Sequence, residues 1–353
     1  MSIEFITAQD GFMNYAIGPN AGIGLTQWDN AHAALLVGEI KAMDWLIRAG
    51  IVHTKPKTIK VNPMSSVRYS KRLTTGRFLG RISATHYLQT GILTYAMLGA
   101  ATAVAGGAVR DITVDTNEVP IWLGFYAKKK GTTASRFKDC LGVVPRSLDI
   151  SCSEIQPIAY QTYNGEFAFS GAGGDLAEQT KLVQATYAPY SWYDYKNALG
   201  ASAFLYNTGA INVEIIGFNL HYEWTNALFG TYDESGYPTN GLISPPLLSK
   251  VTLDCRRKDA AGTDIEAISD LDHESYAGTG EVNLIIDFYK AATRYLKYTH
   301  TDMYVDPNSF EERLVSDGDW FDGVSFDLEF KNETSSVAVK TIDALADTYY
   351  TNP

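Results

Sequence analysis

The chain has 353 residues, of which 45% are hydrophobic, so it can bury the cores of two ordinary domains and is not disordered over most of its length. Its 40 acidic and 29 basic residues give a net charge of −11. This charge argues against a general nucleic-acid binder, because such proteins need an excess of Lys and Arg to replace phosphate counterions. The 22 Tyr and 30 Gly favour strands and turns over helices.

The three cysteines are Cys140, Cys152 and Cys255, and none forms a closely spaced pair. We therefore expect reduced, small core residues and synthesis in a cytosol-like compartment. The first ten residues lack both the basic segment and the long apolar segment of a signal peptide, so none is predicted.

Residues 1–55 are predicted to form an N-terminal arm and a helix, Trp28–Ile51, whose apolar residues recur at helical spacing. Residues 56–174 are predicted to form a first β-barrel, because short alternating runs separated by turn residues are typical of sandwiches and barrels. The runs are Thr58–Asn62, Val67–Leu73, Val119–Tyr126, Phe137–Leu141, Ser147–Ser153 and Gly165–Ser170.

Residues 175–199 follow the glycine-rich break Gly171–Gly174 and are predicted to be a linker. Residues 200–332 are predicted to form a second β-barrel, and residues 333–353 a peripheral C-terminal arm. The predicted strands of this barrel are Val213–Trp224, Leu248–Cys255 and Val324–Phe330, and Leu228–Pro246 is predicted as a loop. The fold class is therefore mainly β, a barrel or sandwich with short helices.

A strand that runs directly into a helix is predicted at Arg77–Gly99. Apolar residues of a short strand give way to helical spacing from Tyr87, and Gly99 ends the helix. Glu281–Tyr298 has similar features, with alternation up to Phe288 and then a helical pattern from Tyr289. If both units form, the chain contains two related barrels.

Gly91–Val109 contains no charged residue and approaches the length of a membrane span. Gly and Ala dominate its second half, however, and Gly disfavours a helix by roughly 1 kcal/mol relative to Ala. We favour a helix up to Leu98 that is followed by a small-residue loop, and we expect no membrane insertion.

Charge is distributed unevenly along the sequence. Trp45–Arg110 contains no acidic residue, whereas Asp259–Asp322 is strongly acidic. Charges of this kind are usually solvated, but blocks of this length also suit a basic surface of one subunit that docks on an acidic surface of the next. The predicted contacts between subunits are Arg68, Lys71, Arg72, Arg77, Arg81, Asp317, Asp319 and Asp322.

No motif for catalysis, metal binding or cofactor binding is complete. The nucleophile elbow, the phosphate-binding loop and the HExxH pattern are absent, and the six histidines are scattered. Asp317–Asp322 places three carboxylates near a glycine, as in a calcium loop, but lacks the spacing and the distal Glu of an EF-hand. We interpret it as an acidic turn, and we expect no enzyme activity and no cofactor.

The order of the predicted elements resembles that of tail tube proteins of long-tailed phages and related viruses. The segments that carry the resemblance are Ile92–Gly99, Phe137–Cys152 with Gly165–Ser170, and Phe218–Asn226. It covers about residues 56–332, and the helix predicted at Trp28–Ile51 departs from the family's pattern.

The resemblance implies a structural virion protein whose β-barrels join edge to edge in rings of three or six subunits. The rings stack into a hollow tube that conducts the genome at ejection. Its partners would be further copies of the chain, other tail proteins, and double-stranded DNA that passes without specific binding. The protein would be assembled in the host cytoplasm and reside in the virion tail.

Two other functions remain open on the sequence. One is a different virion or surface β-protein, a capsid or adhesin component that uses Tyr-rich loops for recognition. The other is a carbohydrate-binding or carbohydrate-active β-sandwich whose site lies in the acidic C-terminal block.

Overall fold

The structure is a computed structural model that describes most of the two predicted β-rich blocks. The described residues are 11–17, 41–42, 46–54, 57–61, 71–75, 79–104, 107–115, 123–129, 136–171, 188–196, 202–229, 240–258, 262–265, 281–313, 323–343, 345 and 350.

The described chain is mainly β, which confirms the predicted fold class. Two short helices accompany the strands, α1 (Ile92–Leu98) and α2 (Trp192–Tyr195). The strands are β1 (Gly11–Ile17), β2 (Lys41–Ala42), β3 (Leu46–Thr54), β4 (Lys57–Val61), β5 (Lys71–Thr75), β6 (Leu79–Tyr87), β7 (Gly99–Ala101), β8 (Arg110–Val114), β9 (Leu123–Lys129), β10 (Arg136–Ser153), β11 (Tyr160–Gly171), β12 (Ala203–Tyr206), β13 (Gly209–Ala210), β14 (Val213–Phe229), β15 (Asn240–Arg257), β16 (Val282–Ala291), β17 (Arg294–Arg313), β18 (Gly323–Phe330) and β19 (Ser336–Ile342).

Antiparallel ladders join these strands into one large sheet, and only β4 and β5 form a separate two-stranded ribbon. One arm of the sheet runs in the order β3, β6, β11, β10. The next edge of β10 is shared, because its first part pairs with β9 and its second part, Ser147–Ser153, pairs with β14. The sheet then continues through β15 and β18 to β17.

The long strand β17 lies between several partners. Its first half pairs with β16 on one edge and with β19 on the other, and β19 in turn pairs with β8. The ladder β10–β14 thus connects strands of the two predicted blocks, and the ladder β8–β19 joins the first block to the predicted C-terminal arm. The two related barrels are not confirmed, and the predicted domain boundaries stay a prediction.

The unit predicted at Arg77–Gly99 forms within the described residues. Strand β6 leads into α1, whose seven residues are all buried, and Gly99 follows in the left-handed conformation with φ of 100°. A Cβ atom on residue 99 would lie 2.8 Å from Cβ of Asp115, so both the backbone angle and the space require glycine.

Partners from distant strands satisfy the carbonyl groups at the C-terminus of α1. The Gly99 amide donates to Tyr95 O, the Asp115 amide to Leu98 O at 2.7 Å, and Trp224 Nε1 to Met97 O at 2.6 Å. Because the last carbonyls of a helix have no partner within the helix, these bonds let the buried end exist without an unpaired polar group.

Two histidines are buried on the inner face of the sheet. The Nε2 atom of His300 lies 2.8 Å from the Tyr222 hydroxyl, and the Nε2 atom of His86 lies 2.8 Å from the side-chain amide nitrogen of Gln161. Burial lowers the pKa of each imidazole to about 3, because the charged form loses its hydration. Both histidines are therefore neutral core residues at neutral pH.

Two predicted helices are wrong where the structure describes them. Leu46–Thr54, the end of the predicted N-terminal helix and the residues after it, is strand β3, in which several β-branched residues favour extended backbone. Tyr289–Tyr298 is not a helix. It contains the end of β16, a two-residue turn and the start of β17, so the strand–helix unit has no second copy there. The residues 28–40 of the first predicted helix lie outside the described residues.

Two predicted irregular segments contain strands. Strand β15 begins at Asn240, inside the predicted loop Leu228–Pro246, and it lengthens the ladder with β14. The predicted C-terminal arm contributes β19, which pairs on both edges, so it is not peripheral at Ser336–Ile342. A buried ion pair anchors this segment: Arg110 Nη1 lies 3.8 Å from Asp343 Oδ1, and the Arg110 guanidinium lies over the Tyr350 ring.

The three cysteines are free and buried, as predicted. None of the described helices is long and apolar enough to cross a membrane.

We predict that Trp224→Phe lowers the free energy of unfolding by about 1–3 kcal/mol, because it leaves the buried Met97 carbonyl without its donor. Denaturant unfolding measures the loss. The control is Trp192→Phe, which removes a similar ring area from another buried tryptophan. The described contacts of the Trp192 ring are with aromatic rings and with the Lys196 ammonium group. Equal losses in the two variants would contradict the role of the hydrogen bond.

Candidate interaction surface

The sheet has an apolar inner face and a polar outer face along β6, β11, β10, β14, β15 and β18. Alternation along each strand places Leu148, Ile150 and Leu220 inside, while Asp149 and His221 point outward. We call the outward set the polar face. Its members are Arg81, Ser83, Thr85, Ser147, Asp149, Ser151, Thr162, Asn164, Glu166, Asn219, His221, Glu223, Lys250, Thr252, Asp327 and Glu329.

His221 lies at the centre of the polar face between two carboxylates. Its Nδ1 atom is 2.6 Å from Asp149 Oδ1, and its Nε2 atom is 3.5 Å from Glu223 Oε2. The hydrogen bond to Asp149 raises the pKa of His221 against the opposing effect of partial burial. His221 therefore becomes protonated at a higher pH than a free histidine does.

Charged and hydroxyl groups on β15, β18 and β17 extend the network. Asp327 accepts a hydrogen bond from the Thr252 hydroxyl at 2.6 Å, and it forms an ion pair with Lys250 at 2.6 Å. The Tyr304 hydroxyl donates to Glu329 at 3.1 Å. Since most of these partners come from neighbouring strands, the polar face is ordered by the sheet.

A groove of about 440 Å³ opens at one end of the polar face, where β3, β6, β11 and β10 meet. Two arginines on its wall converge on one carboxylate oxygen, Glu166 Oε1. Arg146 Nη1 lies 2.9 Å from it and Arg81 Nε lies 3.3 Å from it.

Strand β3 forms one edge of the sheet among the described residues, because its only ladder is with β6. Arg48, Ala49 and Gly50 are exposed, and the Val52 side chain is 65% exposed. A nine-residue strand with an exposed valine and an unpaired edge is a template for pairing with another strand.

The residues predicted to contact other subunits fall in three places. Arg81 is on β6, highly exposed beside Glu166. Lys71 and Arg72 are on β5, which pairs with β4 in the separate ribbon. Arg68, Arg77, Asp317, Asp319 and Asp322 lie outside the described residues. Within the described residues, no ladder joins Arg81 on β6 to Lys71 or Arg72 on β5. The roles of all the predicted contacts stay predictions.

Sequence reasoning missed the most organised parts of the polar face. The pairs His221–Asp149 and Arg146–Glu166 join residues 72 and 20 positions apart. The period-two alternation of the predicted strands was the one available signal, since it marks Asp149 and His221 as outward residues. No sequence pattern gives the register that brings them together.

Among the described residues, no group of three His, Cys, Asp or Glu is placed to hold a metal ion. The carboxylates of the acidic turn Asp317–Asp322 are not among them.

Comparison with known proteins adds no family. No protein-family model matches the chain, and the comparison with curated proteins gives no match.

We predict that His221 stabilises the fold at low pH more than at high pH. Its folded pKa is raised above the unfolded value of about 6.5, so its stabilisation is complete below that pH and is lost as pH rises through the folded pKa. The difference in unfolding free energy between wild type and His221→Gln should be about 0.5–1 kcal/mol at pH 5.5 and should shrink by pH 9. The neutral core histidines His86 and His300 cancel in this difference, and a difference that does not vary with pH would contradict the ion pair.

Proposed function

We propose that the chain is a structural, non-enzymatic subunit that assembles with further copies into stacked rings, the hollow tail tube of a long-tailed virus. The tube is the conduit for the genome, and other tail proteins bind its ends. The subunit is assembled in the host cytoplasm and ends in the virion tail. The observation that carries this proposal is the edge strand β3.

An unpaired edge of this length favours association. Strand β3 has nine residues, and its described ladder lies on one side only. Natural proteins protect such edges with charges, prolines, bulges or a covering element. Strand β3 has a bulge between Leu46 and Arg48 and an exposed Arg48 near its start, but further along it Val52 presents an exposed apolar side chain. Pairing of each edge with a neighbouring copy around a closed ring removes the hazard, because a ring leaves no edge unpaired.

The separate ribbon of β4 and β5 supports stacking between rings. Its register pairs Lys60 with Arg72. An isolated two-stranded hairpin is itself only marginally stable in water. In the proposed stack, contact with acidic residues of the next ring offsets this cost, and the sequence is rich in acidic residues over Asp259–Asp322.

The net charge of −11 supports passage of DNA without binding. A negative lumen lacks the cations that replace phosphate counterions, so the main attractive contribution to nonspecific DNA binding is missing. Two related barrels in each chain would build a ring of three subunits, and one elaborated barrel a ring of six.

We predict that Val52→Lys raises the protein concentration needed for assembly about tenfold, because a lysine on the edge opposes pairing with another strand. Light scattering coupled to size-exclusion chromatography over a concentration series measures the change.

The control for this variant is Leu248→Lys. Leu248 is also apolar and exposed, but it lies on β15, which pairs with β14 at this position and with β18 from Lys250 onward. We expect the control variant to assemble as wild type does. Unchanged assembly of Val52→Lys would remove β3 as the contact between copies.

A further inference from the structure

The groove at the end of the polar face is shaped by a bulge in β10. Pro145 pairs with Gly165 and Ser147 pairs with Asn164, so Arg146 is the extra residue between two ladder positions. A bulge of this kind turns a side chain away from the direction that alternation would give it. Arg146 thereby reaches Glu166 on β11 and faces Arg81 of β6 across the same carboxylate.

Two glycines line the groove, and they have different roles. A Cβ atom on residue 165 would lie 2.5 Å from Val143 Cγ1 and 2.9 Å from Val144 O, so the close approach of β11 to the bulge requires glycine. Gly50, on the opposite wall, has open space in the direction of a Cβ atom. Gly50 therefore leaves one wall of the groove without side-chain bulk, whereas Gly165 allows close packing of β11 against β10 on the buried face.

The charges of the groove do not cancel. Two guanidinium groups share one carboxylate, which leaves one positive charge in a chain of net charge −11. The Arg81 side chain is 68% exposed and the Arg146 side chain 42% exposed, while the Glu166 side chain is 14% exposed. A guanidinium carries five N–H donors, so both arginines keep donors that face solvent.

Neutral groups beside the arginines are also arranged as donors. The Asn164 side-chain amide donates to Ser147 Oγ at 2.9 Å, which leaves the Ser147 hydroxyl hydrogen free to point into the groove. Ser83 adds a second hydroxyl to the lining. Donors thus outnumber acceptors, and planar guanidinium groups match the oxygens of carboxylates and phosphates.

We propose that this groove is a binding site for a small oxyanion, a carboxylate or phosphate group, held between Arg81 and Arg146 with the Ser147 hydroxyl as a further donor. Glu166 has two effects in this site. It fixes the two guanidinium groups, and its own negative charge opposes the bound anion. The site does not depend on the proposed tail tube function.

Isothermal titration calorimetry of the full chain tests the site with two probes, sodium phosphate and sodium succinate, in sodium chloride at matched ionic strength. Saturable binding of either probe is expected, and the probe that binds more tightly identifies the preferred group. Absence of saturable binding for both probes would overturn the proposal.

Three variants make the test specific to the groove. Arg146→Gln should weaken binding about tenfold or more, because it removes one fork. Glu166→Gln should tighten binding, because it removes the opposing charge. Lys340→Gln is the matched control, since it removes a half-exposed cation paired with Asp111 on β8, outside the groove, and should leave binding unchanged.

The directions in which the three variants change the affinity distinguish a specific site from nonspecific attraction of anions to the surface. Equal weakening in Arg146→Gln and Lys340→Gln would show nonspecific charge effects and contradict the proposal. Unchanged or weaker binding in Glu166→Gln would contradict the role of its carboxylate. Circular dichroism melting confirms that each variant is folded, and Arg146→Lys, which keeps the charge but loses the fork, should bind more weakly than wild type.

Discussion

All seven residues of helix α1 are buried, and strands from distant parts of the sequence contact it. A short helix without a polar side exists only where packing and hydrogen bonds replace water around it. Its Met97 carbonyl is bonded from β14, and its Thr94 hydroxyl lies 3.0 Å from the hydroxyl of Tyr298 on β17. Because these partners are 127 and 204 residues away in sequence, the helix determines how distant parts of the chain meet.

The C-terminal segment is held by the same kind of constraint. Arg110 is 2% exposed, and a buried guanidinium requires a counter-charge and ring contacts to replace its hydration. Asp343 and Tyr350 provide them, and the Tyr350 ring also contacts Tyr95 of α1. Burial raises the pKa of Asp343 against the opposing influence of its hydrogen bonds and of Arg110. Loss of either charge would remove the Coulomb partner of a buried group, which typically costs several kcal/mol.

Local patterns predicted the elements whose cause is local. The change from alternation to helical spacing marked β6 and α1, and Gly99 marked the end of the helix. The β16–β17 hairpin was missed because Tyr289, Ala292 and Leu296 fall at helical spacing across a two-residue turn. Alternation resumes after that turn, with Leu296, Tyr298 and His300 on the inner face.

The candidate surface was harder to predict because it depends on register. The outward direction of Asp149 and His221 follows from alternation, but their contact follows from the ladder between β10 and β14. The direction of Arg146 follows from a bulge, which no residue pattern in Phe137–Cys152 marks. Charge blocks along the sequence located Arg81 but not its partner Glu166 on β11.

Within the described residues, the sheet combines an ordered polar face with a strand, β3, that has a ladder on one side only, and we propose that this edge pairs with a second copy of the chain. Negative-stain electron microscopy of the purified full chain over a range of concentrations tests this account most directly. We expect closed rings of uniform diameter that stack into hollow tubes as the protein is concentrated. Particles that remain single subunits at every concentration would contradict it.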